Sequence, residues 1–84
     1  MRFHNRLREL RKQSPLMQKE IAALIGVSVR TFQQYELGII EPNIEKLILL
    51  SRIFNVSIDD LVCRDAVLAD LDAVQPGTSP SINA

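Results

Sequence analysis

Gln18-Lys19-Glu20-Ile21-Ala22-Ala23-Leu24-Ile25-Gly26-Val27-Ser28-Val29-Arg30-Thr31-Phe32-Gln33-Gln34-Tyr35 holds two helical patterns parted by a glycine. Ahead of the glycine, Ile21, Leu24 and Ile25 recur at i, i+3 and i+4. That is the inner stripe of a short helix over about Met17 to Leu24, and Ala22 is small enough for another helix to cross closely. Glycine just past a helix end takes the left-handed conformation cheaply, so Gly26 stops this helix, and Ser28 is an N-cap for the next. In the second helix, Ser28 to about Leu37, Phe32 and Tyr35 are three apart on one face. Val29, Arg30, Gln33 and Gln34 lie at i, i+1, i+4 and i+5 on the opposite one.

Toward the N-terminus, Phe3, Leu7 and Leu10 fall at i, i+4 and i+7, a helical stripe that runs to about Gln13 and leaves Arg6, Arg8 and Lys12 outside. Ser14-Pro15 breaks it, because the residue before proline is pushed out of the helical region. Downstream, Gly38 ends the second helix of the pair and Ile39-Ile40-Glu41-Pro42 is a loop. Asn43 caps a fourth helix with Ile44, Leu47, Leu50, Ile53 and Phe54 at helical spacing. Ser57-Ile58-Asp59-Asp60 has the form of a capping box and opens a short fifth helix ending near Cys63. A sixth starts near Asp65, with Val67, Leu68, Leu71 and Val74 at i, i+1, i+4 and i+7. After Gln75, Pro-Gly-Thr-Ser-Pro-Ser-Ile-Asn-Ala is too rich in proline, glycine and serine to pack. There is no internal repeat and no strand pattern.

The expected fold is therefore all-α, a compact bundle of about five short helices in which helices two and three form a helix-turn-helix. Residues 1–63 make that domain, 64–74 an extra helix offering a dimer or partner surface, and 75–84 a disordered tail. The chain has 84 residues, 46% of them hydrophobic, which is enough for one small core and no second domain. Stability at this size is thin, and pairing of subunits is one way to raise it.

The net charge is zero, yet its distribution is polarised. Residues 1–34 carry seven basic side chains against two acidic, a net of plus five; the remainder carries three against eight, a net of minus five. One end suits a polyanion and the other does not. No run of about 18 apolar residues exists, and the first residues have no apolar stretch behind their charges, so a soluble, cytoplasmic protein is expected. Cys63 is the only cysteine, which excludes an internal disulfide and a Cys-based zinc site within one chain. With no histidine–cysteine pairing, no glycine-rich phosphate loop and no metal spacing, neither an enzyme nor a bound cofactor or metal is expected.

From about Phe3 to Val62 the sequence resembles the phage-repressor helix-turn-helix family, the Cro/repressor or Xre type. The resemblance rests on Leu7-Arg8-Glu9-Leu10-Arg11, on Gln18 to Val27, on Tyr35-Glu36-Leu37-Gly38 with Pro42, and on Phe54-Asn55-Val56-Ser57-Ile58-Asp59-Asp60-Leu61. It implies a sequence-specific regulator of transcription on double-stranded DNA, a repressor acting as a homodimer. By the same resemblance Gln18 holds a DNA phosphate and braces the recognition helix, and Ser28 contacts phosphate. Val29, Arg30 and Gln34 read base edges, Thr31 and Gln33 lie nearer the groove wall, and Arg11 and Glu36 form a structural salt bridge. The chemistry of the side chains agrees, since arginine pairs bidentately with guanine, glutamine with adenine, and valine touches a thymine methyl.

One departure stands out. The loop after the recognition helix commonly carries basic residues in this family, and here it is Ile39-Ile40. These two cover the core, meet a partner or touch DNA sugars; the sequence leaves all three open. The dimer surface is expected on helix five and the acidic-apolar stretch Val62 to Val74, unless Val67, Leu68 and Leu71 fold back onto their own core. The competing readings are an antitoxin or partner-dependent regulator, whose C-terminal half binds another protein, and a domain of this fold that binds only protein.

Overall fold

The computed structural model describes residues 2–74, so the expected tail lies outside the described residues. The chain is all-α, with α1 (Phe3–Gln13), α2 (Gln18–Ile25), α3 (Val29–Leu37), α4 (Ile44–Phe54), α5 (Ile58–Leu61) and α6 (Arg64–Val74). Most boundaries have a local cause. Ser14, ahead of Pro15, is extended and ends α1. Gly26 and Gly38 sit at φ 77° and close α2 and α3, with Val27 N–H donating to the Ala22 carbonyl and Ile39 N–H to that of Gln34. Asn55 ends α4 in the same left-handed region, one that asparagine tolerates. Side-chain oxygens of Ser28, Asn43 and Ser57 accept from the backbone N–H of Thr31, Lys46 and Asp60 at 3.0, 2.9 and 3.0 Å, each cap contributing about 1 kcal/mol.

The core gathers Leu7 and Leu10 from α1, Ile21, Ala22 and Ile25 from α2, Phe32 and Tyr35 from α3, Leu50 from α4 and Leu61 from α5. Phe32 is at its centre with no exposed surface, edge-on to the Tyr35 ring, and α1 and α2 both pack against α3 around it. Burying a side chain of that size contributes about 1.5–3 kcal/mol. Arg6 ties the N-terminal helix to α5, donating to Asp60 at 2.7 Å and to Glu9 at 2.6 Å. These two hydrogen bonds, that to Asp60 foremost, raise its guanidinium above its ordinary pKa.

Four details differ from the reading of the sequence. Leu24 is 58% exposed, because α2 turns Ile21, Ala22 and Ile25 inward. The close crossing at Ala22 thus rotates the buried face away from Leu24. Ile44 is 74% exposed: side chains tilt toward a helix N-terminus, so one in the first turn projects past the end of the packing. The capping box at Ser57 is only half made, since the Asp60 carboxylate is engaged by Arg6. Finally, α5 ends at Leu61, and Cys63, at φ 57°, reverses the chain into a full sixth helix starting at Arg64. Val67, Leu68 and Leu71 on that helix are exposed and do not fold back onto the core.

Candidate nucleic-acid interface

The glycine turn sets α2 against the back of α3 and leaves one face of α3 to solvent. Phe32, Tyr35 and Glu36 are buried, while Val29, Arg30 and Gln33 are exposed and Thr31 and Gln34 are half-buried. Ser28 is exposed at the head of the helix, where its hydroxyl caps Thr31 N–H and also donates to the Thr31 hydroxyl at 3.0 Å. Arg30 and Gln34 are one helical turn apart, so their side chains lie on adjacent levels of one surface.

A chain of hydrogen bonds fixes the other side of α3. Glu36, only 4% exposed, accepts from Arg11 Nε at 2.5 Å and Arg11 Nη2 at 3.2 Å, and also from Gln18 Nε2 at 2.9 Å. Gln18 Oε1 in turn accepts from Gln33 Nε2 at 3.3 Å. A buried carboxylate is costly unless its oxygens are satisfied, and three donors satisfy this one. Gln18 and Gln33 are thereby joined in one network with Arg11 and Glu36, whereas Ser28, Val29 and Arg30 stand apart from it.

Among the contacts that the sequence reading does not name, two bear directly on α3 and the turn before it. Arg8 Nη2 donates to the Glu36 backbone carbonyl at 3.2 Å, and α3 has no basic residue in its own last turn. Arg8 therefore satisfies a terminal carbonyl and places a cation at the negative end of the α3 dipole. The Lys46 ammonium, reaching back from α4, lies beside Gly26. Neither contact carries a local signal, because the partners are 28 and 20 residues apart in the chain.

The ion pairs also change what the charge count means. Arg2 binds Asp70, Arg6 binds Glu9 and Asp60, and Arg11 binds Glu36. Among the described residues this leaves Arg8, Lys12, Lys19 and Arg30 as the N-terminal cations with no acidic partner. Positive potential thus comes from one side of α1, the start of α2 and the start of α3. No helix among the described residues is long and apolar enough to cross a membrane.

A helix-turn-helix family model matches residues 7–61, most of the chain. The chain belongs to the Cro/repressor (Xre-type) helix-turn-helix family of transcription regulators. It is 37% identical over 57 residues to the uncharacterized HTH-type transcriptional regulator YobD of Bacillus subtilis, covering 68% of this chain and 51% of that one. Over 60 residues it is 37% identical to the cryptic phage CTXphi transcriptional repressor RstR of Vibrio cholerae, covering 71% and 54%. The chain thus spans about half the length of the curated relatives it matches. Its fold is similar to that of the P22 c2 repressor, solved in complex with the synthetic operator 9T, with a TM-score of 0.69 and 32% identity over 74% of this chain and 94% of that one. A transcriptional regulator from Listeria innocua has the same TM-score at 34% identity, covering 86% and 77%.

Proposed function

We propose that this helix-turn-helix protein binds double-stranded DNA in a sequence-selective way, as a homodimer, and represses transcription. The observation that carries the reading is the division of α3. One face is locked by Phe32, Tyr35 and the Glu36 network, and the other presents Val29, Arg30 and Gln33 to solvent with Arg30 free of any acid. A rigid helix that keeps a polar side chain such as Arg30 unpaired on its exposed face meets a requirement of direct readout in a major groove.

In this reading Arg30 and Gln34 read base edges and Val29 meets a thymine methyl, while Thr31 and Gln33 lie along the groove wall. Ser28 and Gln18 hold phosphates, and Arg8, Lys12 and Lys19 add charge near the backbone. The orphan N–H groups at the start of α3, with no acid in its first turn, favour a phosphate at the same place. Residues 1–63 form the DNA-binding unit, and the protein acts in the cytoplasm as a regulator without catalysis, cofactor or metal.

The test is selection of bound duplexes from a random pool by the full chain. An enriched inverted repeat, with half-sites about 34 Å apart, is the expected result. Failure to enrich any sequence at low salt overturns the reading.

A further inference from the structure

Glu36 sets the polarity of a short chain of amides. Its carboxylate, ion-paired with Arg11, can only accept hydrogen bonds, so the amide of Gln18 has to turn Nε2 toward it, and does so at 2.9 Å. Turned the other way, Gln18 would set its own carbonyl oxygen against an anion. Gln18 Oε1 is left facing α3, where it needs a donor. Gln33 supplies one, with Nε2 at 3.3 Å from that oxygen. Each amide thus fixes the next, because its two ends are alike in size but opposite as hydrogen-bonding groups. The order ends on Gln33, which is exposed and has no other side-chain partner among the described residues. What Gln33 offers outward is Oε1 and one remaining N–H.

We propose that Gln33 determines specificity for adenine, its amide held by Gln18 in the one orientation that Glu36 allows. The inference rests on the reading of α3 as the recognition helix and names one base that it selects. Gln33 is one turn from Val29 and three residues from Arg30, on the same exposed face, so from the groove wall its amide is added to the side chains that meet base edges. Glutamine pairs bidentately with adenine, accepting from the N6 amine and donating to N7. Guanine presents two acceptors along that edge, O6 and N7, so an outward Oε1 meets O6 with like polarity. Cytosine matches Oε1 alone, through its N4 amine, and thymine offers another acceptor. A free glutamine amide turns end for end to suit whatever it faces; one tied through Gln18 to a buried carboxylate resists the turn. Gln18 is then a positioning residue for Gln33, and its second N–H stays available to a phosphate.

The experiment is selection of duplexes from a random pool by the full chain, repeated with Gln33→Ala and Gln18→Met and read base by base. It is followed by the affinity of each protein for the selected duplex and for the same duplex with guanine in place of the adenine concerned. Alanine and methionine are good helix formers, so both variants keep their far-UV circular dichroism. One base pair of each half-site should carry adenine in the wild-type selection and lose that preference in Gln33→Ala. There the wild type should favour adenine over guanine by about five- to a hundredfold, and Gln33→Ala should bind the two duplexes about equally. Gln18→Met keeps Gln33 but frees its amide, and should narrow the preference several-fold at that base pair alone. Any phosphate contact that Gln18 loses weakens both duplexes alike and cancels in the ratio. If every adenine preference survives Gln33→Ala, or the base pair that Gln33→Ala relaxes carries guanine, the assignment is overturned while α3 stands as the recognition helix. An undiminished preference in Gln18→Met overturns the held amide. If the wild type enriches no sequence at all, the reading of α3 falls and this inference with it.

Discussion

α3 and α6 are of similar length, 9 and 11 residues, and both present apolar or polar side chains to solvent, but they are held in opposite ways. Phe32 and Tyr35 sink α3 into the core, Glu36 ties it to α1 and α2, Arg8 holds its carboxyl end, and a serine and a glycine set its two ends. α6 hangs from a non-glycine residue at φ 57° and an exposed ion pair. A helix proposed to read a rigid duplex has to be fixed before it binds, because misplacement costs contacts; α6 lacks any comparable hold on the core. The two halves of the molecule follow the same division, with unpaired cations around α3 and acids along α6.

The largest effect should come from breaking the fixed helix at its root. Phe32→Ala is expected to destabilise the domain by about 3–5 kcal/mol, which at this size unfolds most of it, as measured by urea or thermal denaturation. Next is the network: Glu36→Gln leaves Arg11 without its anion and should cost about 2 kcal/mol, and it should weaken DNA binding through the loosened α3. Gly26 and Gly38 share the same φ but not the same surroundings. A Cβ on Gly38 would come within 3.0 Å of the His4 ring, whereas one on Gly26 would meet only Lys46 Nζ at 3.5 Å. Gly38→Ala should therefore lower stability by more than the roughly 1 kcal/mol expected of Gly26→Ala. At the other extreme, Arg2→Ala, which removes the exposed pair with Asp70, should change the stability of the bundle by less than about 0.5 kcal/mol.

The readability of these regions in the sequence follows from how local their causes are. Gly26, Ser28, Gly38, Asn43 and Ser57 act on the backbone beside them, so the ends of α2, α3, α4 and α5 could be placed within a residue or two. Cys63 gives no such signal, since a left-handed cysteine looks like any other in a sequence, and the spacing starts the sixth helix near Asp65 where the structure starts it at Arg64. Leu24 fits the α2 stripe and yet points outward, because the rotation of a helix of 8 residues depends on what crosses it. The exposed face of α3 was legible from its spacing. The pairing of Arg11 with Glu36 came only through family resemblance, and the holds of Arg8 on the Glu36 carbonyl and Arg6 on Asp60 depend on tertiary proximity across 28 and 54 residues.

Whether the free face of α3 reads DNA sequence is decided by the affinity of the wild type and Arg30→Ala for the selected duplex and for a scrambled one, across a salt series. The wild type should prefer the selected duplex by about a thousandfold or more, with affinity for both falling as salt rises. Arg30→Ala should lose about ten- to a hundredfold of that preference while its melting temperature stays that of the wild type, because the side chain is exposed and makes no ion pair. Equal binding of the two duplexes by the wild type, or an undiminished preference in Arg30→Ala, would contradict the account.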